Sequence, residues 1–195
     1  MNKSVRIITD LDGSKIALIN DIRFKSRKGI NWNEIEWYLK EYIGEYFEIA
    51  ETSEKIYIGS DFPDEFSHSN DTKGLKGANM KAKANITPAI GELIQIASDK
   101  SEYPDYSNKY GAKAKFGWYR HNTRFGIPVY DEEGNLERYN IFEARMLVRC
   151  DADGKLYLEN EKICKVSDAP KQFAVVNSKL IVWPDKLQID LTNNE

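Results

Sequence analysis

Cysteine and histidine are scarce here, with two of each in 195 residues. Two cysteines cannot build the disulfide framework of a small secreted domain, and Cys150 and Cys164 do not form a paired metal-ligand motif. If residues 141–166 fold into a hairpin about Asp151–Gly154, the two thiols lie out of register and are expected to be free. Long apolar runs are missing too. None approaches the roughly 18 residues needed to span a bilayer. The opening Met1-Asn2-Lys3-Ser4-Val5-Arg6 has no apolar stretch with a small-residue cleavage site, so a secretory signal is not expected and the cytoplasm is the expected setting. Internal repeats and low-complexity tracts are also lacking.

What is present suits a globular protein of one core. Apolar residues make up 41% of the chain and charged residues 30%, proportions that argue against wholesale disorder. Net charge is −3, which excludes a protein that coats itself in nucleic acid by charge alone. The distribution is uneven, however. Residues 73–124 carry ten basic and four acidic side chains, a local +6 between two acidic flanks. Such a segment attracts an anionic partner despite the overall sign.

Local patterns predict an α+β protein. Val5–Thr9 and Lys15–Asn20 are β-rich runs around Asp10-Leu11-Asp12-Gly13, and Asp-Gly supplies the positive φ of a tight hairpin. Residues 31–49 read as a helix, with Asn31 and Glu34 as a capping box and Ile35, Leu39, Tyr42, Tyr46 and Ile49 as its apolar stripe. Lys55–Ile58 reads as a strand and 73–86 as a lysine-rich helix. Pro88 then opens a further helix, with Thr87 as N-cap and Ile90, Leu93, Ile94 and Ala97 facing inward. Residues 99–115 read as a polar connection containing Tyr103, Tyr106 and Tyr110. From Phe116 the pattern becomes β. Runs at about 116–130, 137–149 and 155–166, divided by Asp131–Asn135 and Asp151–Gly154, predict an antiparallel meander. Short strands at Phe173–Asn177, Lys179–Trp183 and Leu187–Leu191 complete a division into residues 1–160 and a β-rich extension, 161–195.

Two motifs suggest chemistry that their surroundings do not support. Ile7-Ile8-Thr9-Asp10-Leu11-Asp12-Gly13-Ser14 is similar to the first motif of haloacid-dehalogenase-like phosphatases, but the alternating βα pattern is absent, so both aspartates are expected at an exposed hairpin tip. Asp151-Ala152-Asp153-Gly154 begins like a calcium loop and lacks its terminal glutamate. It reads as a turn. His68 reads as an exposed loop histidine.

Strand parity sorts the meander into faces. Phe142, Ala144, Met146 and Val148, with Leu156 and Leu158, form the expected core face. Glu143, Arg145, Arg149, Tyr157 and Glu159 fall on the other face, joined by Trp118, Arg120, Asn122 and Arg124. That outward set holds carboxylates, arginines and aromatic rings, the residue types of metal-independent RNA cleavage. A carboxylate takes the ribose 2′-hydroxyl proton, arginines stabilise charge on phosphorus, and rings stack on unpaired bases. The same polarity is also ordinary for the solvent face of an antiparallel sheet.

Several strings carry a family resemblance over about residues 12–158: Lys55-Ile56-Tyr57-Ile58-Gly59-Ser60-Asp61-Phe62-Pro63-Asp64-Glu65-Phe66, Lys73-Gly74-Leu75-Lys76-Gly77, Phe116-Gly117-Trp118-Tyr119-Arg120, Glu137-Arg138-Tyr139-Asn140 and Met146-Leu147-Val148-Arg149. They resemble domains associated with large polyvalent proteins of phages and conjugative elements, some grouped with the barnase–EndoU–colicin–RelE-like nuclease fold. The chain departs from that pattern at Asn70, Tyr110 and Glu159-Asn160-Glu161. The resemblance implies a metal-independent, cofactor-free endoribonuclease-like domain in a bacterial host. Glu143 is then the expected base, Arg120 and Arg145 the phosphate stabilisers, and Tyr110 or His121 the proton donor. Lys76, Lys81, Lys83, Arg124, Arg149 and Tyr157 are the expected RNA contacts. The alternative is a catalytically inert binder that occupies a host defence protein.

Overall fold

The structure, a computed structural model, describes residues 4–10, 12–25, 29–103, 111–164, 173–176 and 179–182. It is an α+β fold. The hairpin forms as expected. β1 (Val5–Thr9) pairs antiparallel with β2 (Lys15–Ile19), and Gly13 takes a φ of 85° at the turn.

The helix expected over 31–49 is shorter. α1 spans Trp32–Leu39 and tightens into a 3-10 turn at Lys40–Tyr42. Gly44, at φ 93°, then redirects the chain into β3 (Tyr46–Glu48). Asn31 occupies the N-cap position without a side-chain capping bond. β3 pairs with β4 (Lys55–Ile58), so tertiary pairing overrides the helical spacing of Tyr46. α2 (Phe62–His68) and α3 (Asn70–Lys73) follow, and Ser69 caps α3 by accepting from the Thr72 amide at 3.3 Å. The lysine-rich helix starts later than its pattern suggests, as α4 (Gly77–Asn85). Thr87 is no N-cap; its hydroxyl donates to the Ala84 carbonyl at 3.0 Å. In and after α5 (Ile90–Gln95), Ile90, Leu93, Ile94 and Ala97 are buried as expected.

Part of the expected polar connection is a strand. β5 (Ser98–Tyr103) adds to the edge of β6 (Trp118–Tyr130), while Tyr106 lies outside the described residues. The meander continues with β7 (Leu136–Cys150) and β8 (Leu156–Cys164), then β9 (Phe173–Val176) and β10 (Lys179–Val182). The expected strand at Leu187–Leu191 also lies outside the described residues. Cys150 pairs with Leu156 and Cys164 with Glu143, so the two positions are out of register, and Cys150 is free.

The strands join one mixed sheet in the order β1-β2-β6-β7-β8-β4-β3, with β5 on β6, β9 on β7 and β10 on β9. Two parallel contacts organise it. β2 meets β6 at Ala17↔Phe125, and β4 meets β8 from Ile56↔Leu156 to Ile58↔Leu158. The helices cover one face, where Ile35, Leu39, Phe62, Phe66, Leu93 and Ile94 pack with Phe125, Met146, Val148 and Leu158. On the opposite face Ile16, Leu18, Tyr139 and Ile141 form a second, smaller cluster. Among the described residues no helix is long and apolar enough to cross a membrane.

Gly126 is where that second cluster presses on β6. A Cβ there would lie 2.7 Å from Leu18 Cδ2, 3.0 Å from Ile141 Cδ1 and 3.3 Å from Tyr139 Cβ. Gly126→Ala is therefore expected to lower stability by about 1–3 kcal/mol, the usual scale of overpacking, measured by urea denaturation. An unchanged midpoint would show that the cluster is loose.

β8 contains an irregularity with consequences. The register steps from Val148↔Leu158 to Leu147↔Asn160, leaving Glu159 as the extra residue of a bulge. Alternation from Leu156 and Leu158 alone would send Asn160 and Lys162 inward. Instead the bulge reverses the parity and turns Glu161 and Ile163 into the core beside Met146 and Ala144.

Candidate nucleic-acid interface

The β6–β7 register pairs Trp118 with Arg149, Arg120 with Leu147, Asn122 with Arg145 and Arg124 with Glu143. Directly paired residues point to the same side of a sheet. Arg120, Glu143 and Arg145 thus share the outer face, opposite Phe142, Met146 and Leu156, as parity predicts.

They do not all meet in one concavity. A cleft of about 420 Å³ opens where the β1–β2 turn lies beside the β5–β6 junction. Its lining includes Asp12, Glu51, Asp99, Asn122, Arg124 and Glu143, but neither Arg120 nor Arg145. The Arg120 guanidinium instead stacks 3.7 Å from the centre of the Tyr103 ring. Arg145 is exposed, with Lys162 as its cross-strand neighbour.

Several expected contact residues are engaged inside the protein. Arg124 holds the hairpin turn: its Nη1 lies 3.1 Å from Asp10 and 3.7 Å from Asp12, and it donates to Ser14 Oγ. Asp10 is consequently buried rather than exposed at a tip, because the parallel β2–β6 pairing folds the turn onto β6. Asp12 is exposed, as expected. His121 is 1% exposed and points to the core face, away from Glu143. Burial lowers its pKa, and among the described residues its Nε2 has no hydrogen-bond partner, so it does not donate a proton to chemistry on the outer face. Tyr110, the other expected donor, lies outside the described residues.

Lys83 is fully buried and makes no surface contact. Its Nζ donates to Thr72 Oγ1 at 2.8 Å and Asn160 Oδ1 at 3.0 Å, and it lies 4.6 Å from the centre of the Phe66 ring. Lys76 and Lys81 are exposed on or beside the same helix. Lys100 and Lys113 are paired with Glu54 and Asp61. Among its described residues the basic segment is therefore no continuous patch, because folding hands several of its charges to partners remote in sequence.

Arg149 is also buried. It forms an ion pair with Glu159, donates to the Lys113 carbonyl at 2.9 Å and lies 4.3 Å from the centre of the Tyr157 ring. Burial raises the Glu159 pKa, against the opposing pull of Arg149. This cation ties β7 and β8 to the 3-10 turn at Gly111–Ala114.

Sequence reading missed a row of rings that crosses the sheet through this arginine. Successive registers align Tyr46, Tyr57, Tyr157, Arg149, Trp118 and Tyr103 on the outer face. Trp118 is buried, whereas the Tyr46–Tyr57–Tyr157 end is exposed or half-buried. Its ring centres are 5.5 and 5.8 Å apart. Lys55 sits 4.7 Å over Tyr46 and Lys155 sits 5.5 Å over Tyr57. Gly59 leaves room at the row, since a Cβ there would come within 3.3 Å of the Tyr157 ring. Parity already places Tyr157 on the outer face, and the same alternation in Lys55–Ile58 turns Tyr57 away from the core, a signal that could have been read. Their adjacency depends on the parallel β4–β8 pairing. The chain matches no family profile, no curated protein and no solved structure.

Proposed function

We propose that this protein binds single-stranded RNA on the outer face of its sheet. The observation that carries this reading is the Tyr46–Tyr57–Tyr157 row with Lys55 and Lys155 beside it. Rings held by strands form a platform for unpaired bases, and the adjacent cations contact phosphate. Exposed Arg145 and the Tyr103-stacked Arg120 extend the positive character along the same face. The resemblance of residues 12–158 to mobile-element nuclease-like domains agrees with RNA as the partner.

The test is fluorescence anisotropy with a labelled single-stranded RNA in EDTA. Tyr57→Ala and Tyr157→Ala are each expected to weaken binding by about 1–3 kcal/mol, the scale of one lost base–aromatic stack. Tyr57→Phe, which keeps the ring, should bind nearly as wild type. Equal affinity in all three variants would remove the platform.

A second reading, cleavage with Glu143 as base, has one favourable observation: Glu143 is exposed and shares the outer face with Arg145 and Arg120. If it holds, RNA is cut in EDTA, DNA of the same sequence is not, and Glu143→Gln slows cleavage on the order of a hundredfold. Binding without cleavage identifies an inert RNA binder. Absence of both turns the reading to the host defence protein as partner.

A further inference from the structure

We propose that Glu36, Asp64 and His68 form a binding site for a divalent transition-metal cation of the zinc class, joining α1 to α2. Asp64 and His68 are four residues apart on α2, so both project from one side of that helix towards Glu36 on α1. One donor atom from each residue lies within 4.8 Å of the other two. His68 Nε2 and Glu36 Oε2 are 3.0 Å apart. In a tetrahedral site with bonds of about 2.0–2.2 Å, donors stand roughly 3.3–3.6 Å from one another. Side-chain rotation alone therefore brings the three into range.

The charges also favour a cation. Lys40 is bound to the other oxygen of Glu36, at 2.7 Å, which leaves Oε2 directed at His68. Asp64 makes no ion pair within 4 Å among the described residues, although it stands beside a second carboxylate. Lys40 offsets one of the two carboxylates, and the negative charge left over attracts a dication to the imidazole and both carboxylates. The imidazole selects zinc-class metals over calcium or magnesium, which prefer all-oxygen shells. Asp64 is exposed and the other two are half-buried, so water reaches the remaining coordination position.

The experiment titrates metal-free protein with Co²⁺, then displaces it with Zn²⁺. Wild type should develop visible absorption bands of protein-bound Co²⁺, lose them to one equivalent of Zn²⁺, and show a raised Tm with Zn²⁺ present. His68→Ala and Asp64→Asn should each weaken Zn²⁺ binding at least about tenfold, since even outer-shell losses have that effect. Glu132→Gln, in an exposed turn elsewhere, should leave it unchanged. Asp64→Asn alters only an exposed group and keeps the test valid if His68→Ala unfolds. Absence of saturable binding, or equal affinity in wild type, His68→Ala and Asp64→Asn, would overturn the proposal.

Discussion

Lys83→Met should destabilise the protein by about 3 kcal/mol or more near pH 8, and by clearly less near pH 5. Lys83 and Glu161 are both fully buried. Among the described residues, neither oxygen of Glu161 has a hydrogen-bond partner. Burial raises the Glu161 pKa to about 7, opposed by the attraction of Lys83. Burial lowers that of Lys83 to about 8, opposed by Glu161 and Asp71. Without the ammonium, Glu161 at pH 8 must either stand as an unpaired buried carboxylate or take up a proton at a cost. At pH 5 the carboxyl is already protonated and loses less.

The same pair shapes stability against pH. Between about 4.5 and 7 the folded protein keeps a proton on Glu161 that the unfolded chain has released. Stability from this group is therefore full below 4.5 and falls as pH rises to 7. Between about 8 and 10.5 the folded protein has released a proton from Lys83 that the unfolded chain retains. Stability from this group is present above 10.5 and is lost as pH falls through 8. Together they place a minimum between pH 7 and 8, with the Glu161 limb worth about 3 kcal/mol. Urea denaturation at several pH values should find this minimum in wild type. Lys83→Met/Glu161→Gln should flatten it and be at least as stable as wild type near pH 7.5. A double variant that keeps the wild-type profile would refute the assignment.

Arg149→Met should cost a similar amount, about 3–5 kcal/mol, by stranding Glu159 in a buried site. It also removes the bond to the Lys113 carbonyl and the cation over Tyr157. Arg149→Lys should recover little, because an ammonium cannot serve Glu159 and the carbonyl from one planar fork. Adding Glu159→Gln to Arg149→Met should restore part of the loss. The contrary role, direct phosphate contact, would show differently: stability would hold while the salt dependence of RNA binding lost about one counterion.

Local chemistry made much of the fold readable. Asp-Gly at the first turn, period-two alternation in the meander, and turn residues at 131–135 and 151–154 each act over a few residues, and the strands they imply are present. Parity likewise placed Arg120, Glu143 and Arg145 on one face, because it needs only the pleat of each strand. Where the helical reading of 31–49 failed, the competitor was remote. Tyr46 satisfies its backbone by pairing with Tyr57, after Gly44 has released the chain from helical geometry.

The candidate site was less legible, since charge says little about where a side chain ends up. Lys83 and Arg124 sit in a basic stretch and Arg149 on an outward parity position, yet each is held by partners that only folding brings near: Asn160 for Lys83, Asp10 for Arg124, and Glu159 with the Lys113 carbonyl for Arg149. The amino-acid sequence by itself determined the strands, the turns and the core face of the meander, because short-range periodicity and turn chemistry suffice for those. Only the tertiary structure decided which charges are buried, that the bulge at Glu159 turns Glu161 inward, and that Tyr57 stands beside Tyr157. Those outcomes follow from the pairing of strands remote in sequence, where the burial of distant apolar residues sets the register and polar groups take the partners it brings.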